Sequence, residues 1–383
     1  MYLHEHDAKE LLTRYGVPVP EGVCVCVGQA LPDQLPQPGP WVVKGQISAG
    51  GRGKAGIIQT AATREDVERQ TRAMLGRTVK GRRVERVRIE RCVEGAAELY
   101  IGLLLDAETG GVRVILSARG GMDIETVPAA EIRSEVVRLD TIAIADCAAR
   151  QAIGFDAAAA QALREACAQL AHAFVASELQ LIEINPLFVR PDGSWLAGDA
   201  KVVADENALS RQPALEALVR TEAAQYVEAA VKLEHGFDYV VVDGDGEIGL
   251  LTTGAGLSMM LIDELRAQDL KPYNFLDVRT GGFRGDPARL INVLKWISAG
   301  PRVRILLVNI FAGITDLGEF ARLLADAIEQ SPDLKVPIVA RLVGNGAAAA
   351  KTILAERMPG LAVEEDLDAA LSHVAHATAG SAA

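Results

Sequence analysis

Leu181-Ile-Glu-Ile-Asn-Pro-Leu187 is the stretch from which the fold of this chain can be worked out. Its alternation predicts an extended strand with Glu183 and Asn185 on one face, ended by Pro186. A second strand, Trp195-Leu-Ala-Gly-Asp199, would bring Asp199 to the same place. Carboxylate and amide oxygens together suit Mg²⁺ that carries nucleotide phosphates. The polar outer face of an ordinary hairpin has the same local pattern, so both interpretations stay open at this point.

Length and composition restrict the class of protein. With 383 residues the chain is too long for one compact core, so two or three domains are expected. A net charge of −12 argues against a nucleic-acid surface or an anionic membrane as partner. A phosphate ligand would then need a local concentration of cations and backbone N–H groups. No targeting or membrane-spanning pattern is found, and a cytoplasmic location is expected.

The cysteines are odd in number and scattered through apolar segments, which favours small buried residues over a metal or redox site. They are Cys24, Cys26, Cys92, Cys147 and Cys167.

A glycine-rich loop follows the predicted strand Trp41-Val-Val-Lys44. Residues 45–56 hold five glycines together with Arg52 and Lys54. Glycine lets backbone N–H groups turn inward around an anion, and the two cations add charge. The loop is not a Walker-type loop, because neither Ser nor Thr follows Lys54. It is either a phosphate-binding flap or a flexible turn with solvated cations.

Two carboxylates and one turn are weaker candidates for a site. Glu90 ends a predicted strand and Glu98 begins another, where each is either a ribose or metal ligand or a solvated edge charge. The turn Arg119-Gly-Gly-Met-Asp-Ile-Glu125 is expected to shape a loop.

The pattern changes in the last third of the chain. A single helix from Ala214 to about Leu233 is expected to lead into regular strand and helix alternation, which predicts a doubly wound parallel sheet. Two glycine turns, Thr252-Thr-Gly-Ala-Gly256 and Phe311-Ala-Gly-Ile-Thr315, would open helices there. Each is a candidate anion site or simply a tight joint. The predicted strands are 239–242, 248–253, 274–278, 304–311 and 336–343, and the helices lie near 257–267, 287–299, 317–329 and 346–357.

Taken together, these motifs resemble the β subunit of succinyl-CoA synthetase, an NDP-forming acid–CoA ligase, and the similar β subunit of malate–CoA ligase. The ordered matches run nearly the whole length, from Leu3 to Arg341. The resemblance implies an α/β fold, with an N-terminal ATP-grasp domain at 1–237 and its subdomain at about 20–97. A flavodoxin-like, doubly wound parallel-sheet CoA-ligase domain would follow at 238–383.

The resemblance also implies roles for individual residues. Glu183 would be catalytic and face a histidine that carries the phosphoryl group, and Mg²⁺ would be held by Asn185 and Asp199. Nucleotide binding is expected at Lys44, Gly51, Arg52, Gly53, Glu90, Val93 and Glu98. Substrate or phosphohistidine binding is expected at Thr253, Gly254, Gly313, Ile314 and Thr315.

The implied reaction needs a second chain. ATP, or GTP, would phosphorylate a histidine, the phosphoryl group would pass to a small carboxylic acid, and the thiol of CoA would displace it. None of the six histidines lies in a glycine-rich catalytic loop. The resemblance therefore implies an α subunit that carries the histidine and most of the CoA site, in an αβ dimer or an α2β2 heterotetramer. The alternatives are a nucleotide-binding regulatory subunit without turnover and a stand-alone ATP-grasp ligase.

Departures from the succinate pattern bear on the choice of acid. Thr253 stands where Asn is typical, and Arg279 and Arg284 replace part of a short glycine run. Asp316 with Glu319 is interpreted as a capping box more readily than as part of a changed pocket. Succinate is the first expectation for the acid and malate the second.

Overall fold

The computed structural model describes residues 1–278, 285–313 and 315–379. The chain forms two compact units, Met1–Ala217 and Leu218–Ala383. The α/β class predicted from the sequence is confirmed, whereas the domain boundary between residues 237 and 238 stays a prediction about domain organisation. Arg279, Arg284 and Ile314, which the sequence analysis singles out, lie outside the described residues.

The first unit combines antiparallel sheets with helices that cover them. Its helices are α1 (Glu5–Thr13), α2 (Arg64–Met74), α3 (Thr141–Gln151), α4 (Ala157–Ala176) and α5 (Pro213–Thr221), the last of which crosses into the second unit. Its strands are β1 (Gly22–Cys26), β2 (Trp41–Gln46), β3 (Ile58–Ala61), β4 (Thr78–Val79), β5 (Arg82–Arg83), β6 (Arg86–Arg91), β7 (Ala97–Asp106), β8 (Gly111–Ser117), β9 (Ile132–Val137), β10 (Leu179–Val189), β11 (Trp195–Ala197) and β12 (Lys201–Ala204).

A four-stranded antiparallel sheet of order β1-β6-β2-β3 forms the smaller layer of this unit. Helix α2 packs against it and begins at a capping box, in which the Thr63 hydroxyl accepts a hydrogen bond from the Asp66 backbone N–H. Val43, Val67 and Ile89 are fully buried between helix and sheet. The glycine-rich loop of residues 47–57 joins β2 to β3, so this sheet carries the loop.

A larger antiparallel sheet of order β11-β10-β7-β8-β9 forms the second layer, and β12 also pairs with β10. The twenty-residue helix α4 lies against β10 and β7, and α3 against β8 and β9. Asp156 caps α4 by accepting the Ala159 backbone N–H at 3.0 Å. The helix then buries a stripe of small and apolar side chains, among them Leu163, Leu170 and Phe174.

Two local predictions in this sheet are wrong. Pro186 does not end β10, which continues to Val189, because the pairing with β7 shifts register between Ile184 and Leu187 and so accommodates a residue without an N–H. Asp199 does not lie in a strand. It sits in a bend between β11 and β12, which pair with different halves of β10.

The second unit alternates strands and helices. Its helices are α6 (Val227–His235), α7 (Ala255–Ala267), α8 (Ala288–Ser298), α9 (Leu317–Glu329), α10 (Ala347–Arg357) and α11 (Leu367–Ala379). Its strands are β13 (Asp238–Val241), β14 (Ile248–Thr252), β15 (Asn274–Asp277), β16 (Ile305–Ala312), β17 (Ile338–Gly344) and β18 (Ala362–Glu364).

The parallel sheet of this unit has the order β14-β16-β17-β18 and is covered on both faces. Successive residues such as Leu250 and Leu251 point into different cores. One core contains side chains of α8, α9 and α10, and the other contains side chains of α7 and α11. The doubly wound arrangement predicted from the sequence is therefore confirmed for β14, β16 and β17, and the sheet has a fourth strand, β18, which is not among the predicted strands.

Three details differ from the prediction. β13 runs antiparallel to β15, and the two form a two-stranded sheet of their own, apart from the parallel one. The expected single helix is broken into α5 and α6, because Tyr226 is buried and leaves the helical conformation at φ −123°. The segment around His373 and His376, for which no element is predicted, forms part of α11, whose Leu371 and Val374 are buried.

The remaining observations concern the cysteines and membrane segments. All five cysteines are free, and Cys147 and Cys167 are buried, as small apolar residues would be. In the part of the chain that the structure describes, no helix combines the length and apolar character needed to cross a membrane.

Candidate active site

A cavity of about 500 Å³ in the first unit brings several predicted residues together. Its walls come from the glycine-rich loop, the turn at residues 121–125, strand β10 and the bend before β12. The predicted residues that line it are Gly51, Arg52, Gly53, Glu183, Asn185 and Asp199. The convergence of Glu183, Asn185 and Asp199, expected from the sequence, is thus present in the structure.

Arg52 is the cation in closest contact with the predicted metal ligands. Its Nη2 donates to both carboxylate oxygens of Asp199, at 2.7 and 2.8 Å. Its Nη1 lies 2.7 Å from Oε2 of Glu5. The guanidinium therefore joins two carboxylates, and their charges raise the pKa of Arg52 further, although burial opposes them. Arg52 stays charged at any pH at which the protein is folded.

Lys44 is buried beneath the cavity and is not among the described residues that line it. Its ammonium donates to Glu5 Oε1 and to the carbonyl of Gly198, each at 2.8 Å, and pairs with Glu90. Three acceptors use all three donors of a lysine ammonium. Glu90 and Lys44 are therefore held together by a buried ion-pair cluster, and a phosphate contact by Lys44 would require a change of partner.

Lys9, which the sequence analysis does not single out, contacts the same three acceptors. Its Nζ lies 2.7 Å from Glu5, 2.8 Å from Glu90 and 2.9 Å from the Gly198 carbonyl. Two ammonium groups thus alternate with two carboxylates in the interior. The neighbouring cations hold the pKa of Glu5 well below its usual value against the opposing effect of burial. Burial lowers the pKa of Lys9.

Asn185 is fixed by the turn across the cavity. Its amide oxygen accepts the Gly121 backbone N–H at 2.7 Å, and its amide nitrogen donates to the Met122 carbonyl at 2.8 Å. Gly121 has φ +73°, and a Cβ there would lie 1.8 Å from Oε2 of Glu98. Glu98 therefore lies against the same turn, although it is not among the described lining residues. The turn expected only to shape a loop forms a wall of the site.

Glu183 has a cationic neighbour on the adjacent strand. Lys201 stands directly opposite Glu183 in the pairing of β10 with β12, and the two charged groups are 3.5 Å apart. Both side chains line the cavity, as does Tyr2. Burial raises the pKa of Tyr2 to about 12, with Arg52 opposing and the nearby carboxylates adding to the shift. Tyr2 therefore presents a neutral phenol to the cavity.

The donor set fits a magnesium ion that is bound through a nucleotide. Among the described residues no cluster of three or more His, Cys, Asp or Glu side chains is arranged to hold a metal by itself. Mg²⁺ usually takes one or two protein oxygens and completes its shell with water and phosphate. Asp199 and Asn185 can supply that number, and Glu183 adds negative charge to the same cavity.

The predicted substrate residues lie in the second unit, at the ends of β14 and β16. Gly254 precedes α7 with φ +84°, and its N–H donates to Asp277 at 2.8 Å; Thr253 beside it is half-buried. Gly313 and Thr315 do not open α9, which begins at Leu317. Asp316 caps that helix by accepting the Glu319 N–H at 2.9 Å, which is one half of the capping box expected there.

One predicted residue lies away from the cavity, and four residues at or beneath the cavity were not predicted. Val93 follows β6 and is half-buried, outside the described lining of the cavity. Sequence reasoning missed Tyr2, Glu5, Lys9 and Lys201 as parts of the site. Lys9 lies four residues after Glu5 in α1, which is the spacing of a helical ion pair and the one signal available.

Comparisons with known proteins agree with this arrangement. Residues 2–189 match the ATP-grasp domain family and residues 251–375 the CoA-ligase family. The chain is 40% identical to the succinate–CoA ligase [ADP-forming] subunit beta of Chloroflexus aurantiacus, over 93% of this chain and 94% of that one. It is 36% identical to the protein of the same name from Maricaulis maris, over 98% of both chains.

A solved structure shows the same fold at much lower identity. The ATP citrate lyase from Methanothrix soehngenii, in complex with citrate and coenzyme A, superposes with a TM-score of 0.66 at 16% identity over 95% of both chains. Identity this low indicates only a shared fold. The sequence matches go further, and they show that the chain belongs to the family of succinate–CoA ligase [ADP-forming] β subunits.

Proposed function

We propose that this chain is the nucleotide-binding half of an ADP-forming dicarboxylate–CoA ligase and works with an α subunit that carries a phosphorylated histidine. Succinate is the first candidate for the acid, because the most similar relatives carry the name succinate–CoA ligase. One observation carries the proposal: Glu183, Asn185 and Asp199 line one cavity with Arg52 and the glycine-rich loop.

The cationic and N–H groups of the cavity are assigned to the phosphates, and its oxygen ligands are assigned to the metal. Arg52 and the backbone N–H groups of Gly51 to Gly53 bind nucleotide phosphates, since the loop presents donors to an anion. Asn185 and Asp199 hold Mg²⁺, which when bound neutralises phosphate charge and helps to align the transferring group. The neutral phenol of Tyr2 adds a hydrogen-bond donor without adding charge.

Glu183 has the position of the group that receives the partner's histidine. Its carboxylate accepts one N–H of the visiting imidazole and so directs the other ring nitrogen at the terminal phosphate. Lys201 lies directly opposite on β12, 3.5 Å from the Glu183 carboxylate. Glu90, Glu98 and Val93 are assigned to the nucleoside end. The second unit contributes Thr253, Gly254, Gly313 and Thr315 to the acid and phosphohistidine site.

The test is reconstitution with the α-like partner chain. We expect CoA-dependent and acid-dependent ADP release from the mixture and none from either chain alone. A screen of succinate, malate and tricarboxylates, with ATP and with GTP, identifies the substrates, and sedimentation separates an αβ dimer from an α2β2 tetramer. Turnover by the single chain would overturn the two-subunit proposal.

Glu183→Gln tests the assigned chemistry directly. We expect labelling of the partner's histidine from γ-labelled ATP to fall by about 10²-fold or more, because positioned proton-accepting groups contribute rate factors of that size. Nucleotide affinity should stay within about threefold, well under 1.4 kcal/mol. Glu125→Gln is the matched control, since it removes the same charge from another wall of the cavity. Equal loss in both variants would remove Glu183 from the mechanism.

A further inference from the structure

Protein donors contact both oxygens of the carboxylate assigned to the metal. Both oxygens of Asp199 accept from Nη2 of Arg52, and Oδ1 also accepts the Ala200 backbone N–H at 2.7 Å. A divalent cation on Asp199 would have to share this carboxylate with a guanidinium in direct contact. The charge of the guanidinium repels a second cation on the same carboxylate, so a divalent metal binds Asp199 more weakly while Arg52 stays there.

We propose that Arg52 is a built-in counter-ion of Asp199, which keeps a divalent metal out of the site until nucleotide phosphates arrive to accept the guanidinium. This inference rests on the proposed function, because it takes Asp199 as a metal ligand. Metal and nucleotide then enter together. The nucleotide supplies an anionic partner for Arg52, and the released carboxylate becomes free for the metal.

Because Glu5 also holds Arg52, the guanidinium can leave Asp199 by rotating about its contact with Glu5, without losing all of its protein partners. Nη1 of Arg52 lies on Glu5, so the guanidinium can give up Asp199 with Nη2 and remain attached. Glu5 itself is buried and fixed by Lys9 and Lys44. Glu5 is thus a positioning residue for Arg52.

The loop that carries Arg52 can accommodate the movement. Gly51, immediately before it, has φ +74°, and a Cβ added at Gly53, immediately after it, would meet no other atom within 4 Å. At Gly51 a Cβ would lie 3.1 Å from Nζ of Lys80, and the Arg52 carbonyl accepts the Ile57 N–H at 3.2 Å, so the exchange is a movement of the Arg52 side chain on a fixed backbone.

Linkage gives the proposal a measurable form. If nucleotide raises metal affinity by some factor, metal must raise nucleotide affinity by the same factor. Part of that factor comes from metal–phosphate contacts, and the remainder comes from Arg52. Removing Arg52 should therefore raise metal affinity in the absence of nucleotide and shrink the coupling factor.

The experiment measures Mn²⁺ binding by electron paramagnetic resonance, with and without a non-hydrolysable ATP analogue. For Arg52→Gln we expect nucleotide-free Mn²⁺ affinity to rise at least about tenfold, the range of one charge-assisted contact. Arg69→Gln is the control, because it removes a positive charge from α2 of the same unit, outside the described lining of the cavity. Arg69 is 68% exposed and pairs with Asp66, so its loss should leave nucleotide-free Mn²⁺ affinity unchanged.

The outcomes separate this inference from the proposed function. If Asp199→Asn leaves Mn²⁺ binding with nucleotide unchanged, the metal assignment is wrong and the inference falls with it. If Asp199→Asn abolishes that binding while Arg52→Gln binds nucleotide-free Mn²⁺ no better than the intact protein, only the counter-ion role of Arg52 is overturned. If Arg52→Gln does not fold, Arg52→Met replaces it, because methionine is also uncharged and has a long side chain. Unchanged nucleotide-free affinity in that variant likewise overturns the inference.

Discussion

The two units bury different kinds of polar group. In the first unit the interior holds ionisable side chains, namely His4, Glu5, Asp7, Lys9, Lys44, Arg52, Arg86, Arg88 and Glu90. In the second unit the polar side chains that are buried, among the residues the structure describes, are the neutral Thr252, Ser258, Asn274, Asn309 and Thr378. Charge sets the two interiors apart: among the described residues, buried charged side chains occur in the first unit alone, which also buries the neutral Gln46, Thr71, Ser117, Gln151 and Ser177.

The first unit buries charged side chains because its interior lies beneath the cavity, whereas the second unit uses neutral side chains to join its strands. Buried ion pairs contribute little net stability, because desolvation offsets most of their attraction. The charged interior lies directly beneath a cavity suited to phosphates, where Arg52 and Lys44 need fixed partners. In the second unit Asn274 bonds both backbone groups of Leu250, at 2.9 and 2.8 Å, and so joins β15 to β14 where no regular ladder forms.

The strongest test of the comparison is to remove one charge from the first interior. Lys9→Met keeps the length of the side chain and leaves Glu5 and Glu90 with one cation fewer. We expect the unfolding free energy of the first unit to fall by about 3–5 kcal/mol, the usual cost of an uncompensated buried charge. Denaturant-dependent hydrogen exchange, followed for peptides of α1, β2 and β6, measures it.

The control for this variant is Lys54→Met, which removes an exposed cation from the loop. Its cost should be much smaller than that of Lys9→Met, because exposed ion pairs contribute little net stability. Equal losses of unfolding free energy in the two variants would mean that the buried ion-pair cluster contributes no more to the stability of the first unit than an exposed lysine does.

The second interior is tested by Asn274→Ala. This change leaves the N–H and the carbonyl of Leu250 without their partner, at about 1–3 kcal/mol for each orphaned group. We expect a loss of about 2–4 kcal/mol, confined to exchange of β14 and β15. Ser258→Ala should cost less, because the Leu276 carbonyl keeps its bond from Thr252. A loss after Asn274→Ala that spreads into the first unit would contradict the separation of the interiors.

The stability of the two units should also depend differently on pH in mild acid. Burial and the neighbouring Arg86 lower the pKa of His4 from 6.5 to about 3. Between these values the unfolded chain takes up a proton that the folded chain does not. The stability that His4 contributes is therefore present above pH 6.5 and is lost as the pH falls. At pH 5 the loss is about 2 kcal/mol, from about 1.4 kcal/mol per unit of pKa shift.

Hydrogen exchange at pH 6.5 and 5 measures this effect in α1 and β6. His4→Gln should flatten the pH dependence, with a residual slope from His6, whose pKa is also lowered by burial. His373→Gln, on the surface of the second unit, serves as the control. If both units lose stability in parallel and His4→Gln changes nothing, the charged interior is not the acid-sensitive part.

The sequence predicts much of the fold, because most elements carry their own local signal. β14, β16 and β17 are apolar runs bounded by turns, and the capping residues Asp156 and Asp316 mark the starts of α4 and α9. The candidate site is predictable where alternation decides orientation, as it does for Glu183 and Asn185.

What the sequence could not give depends on contacts between distant segments. Lys9 and Glu90 are 81 residues apart, and nothing local indicates that they meet. The wall formed by Gly121 and Met122 depends on hydrogen bonds to Asn185, 64 and 63 residues further along. Pro186 predicts the end of β10, but the strand continues to Val189 because a local shift of register accommodates the proline.

The bend at Gly198 ties the cavity to the layer below it. Its carbonyl serves both Lys9 and Lys44, and the next residue is Asp199. A Cβ at Gly198 would lie 2.3 Å from the ring of Phe188, so no larger residue fits without moving that carbonyl. Moving this candidate site to another protein would therefore require the bend and helix α1 as well. Glu183, Asn185 and Asp199 alone would lack the buried ion pairs that support them.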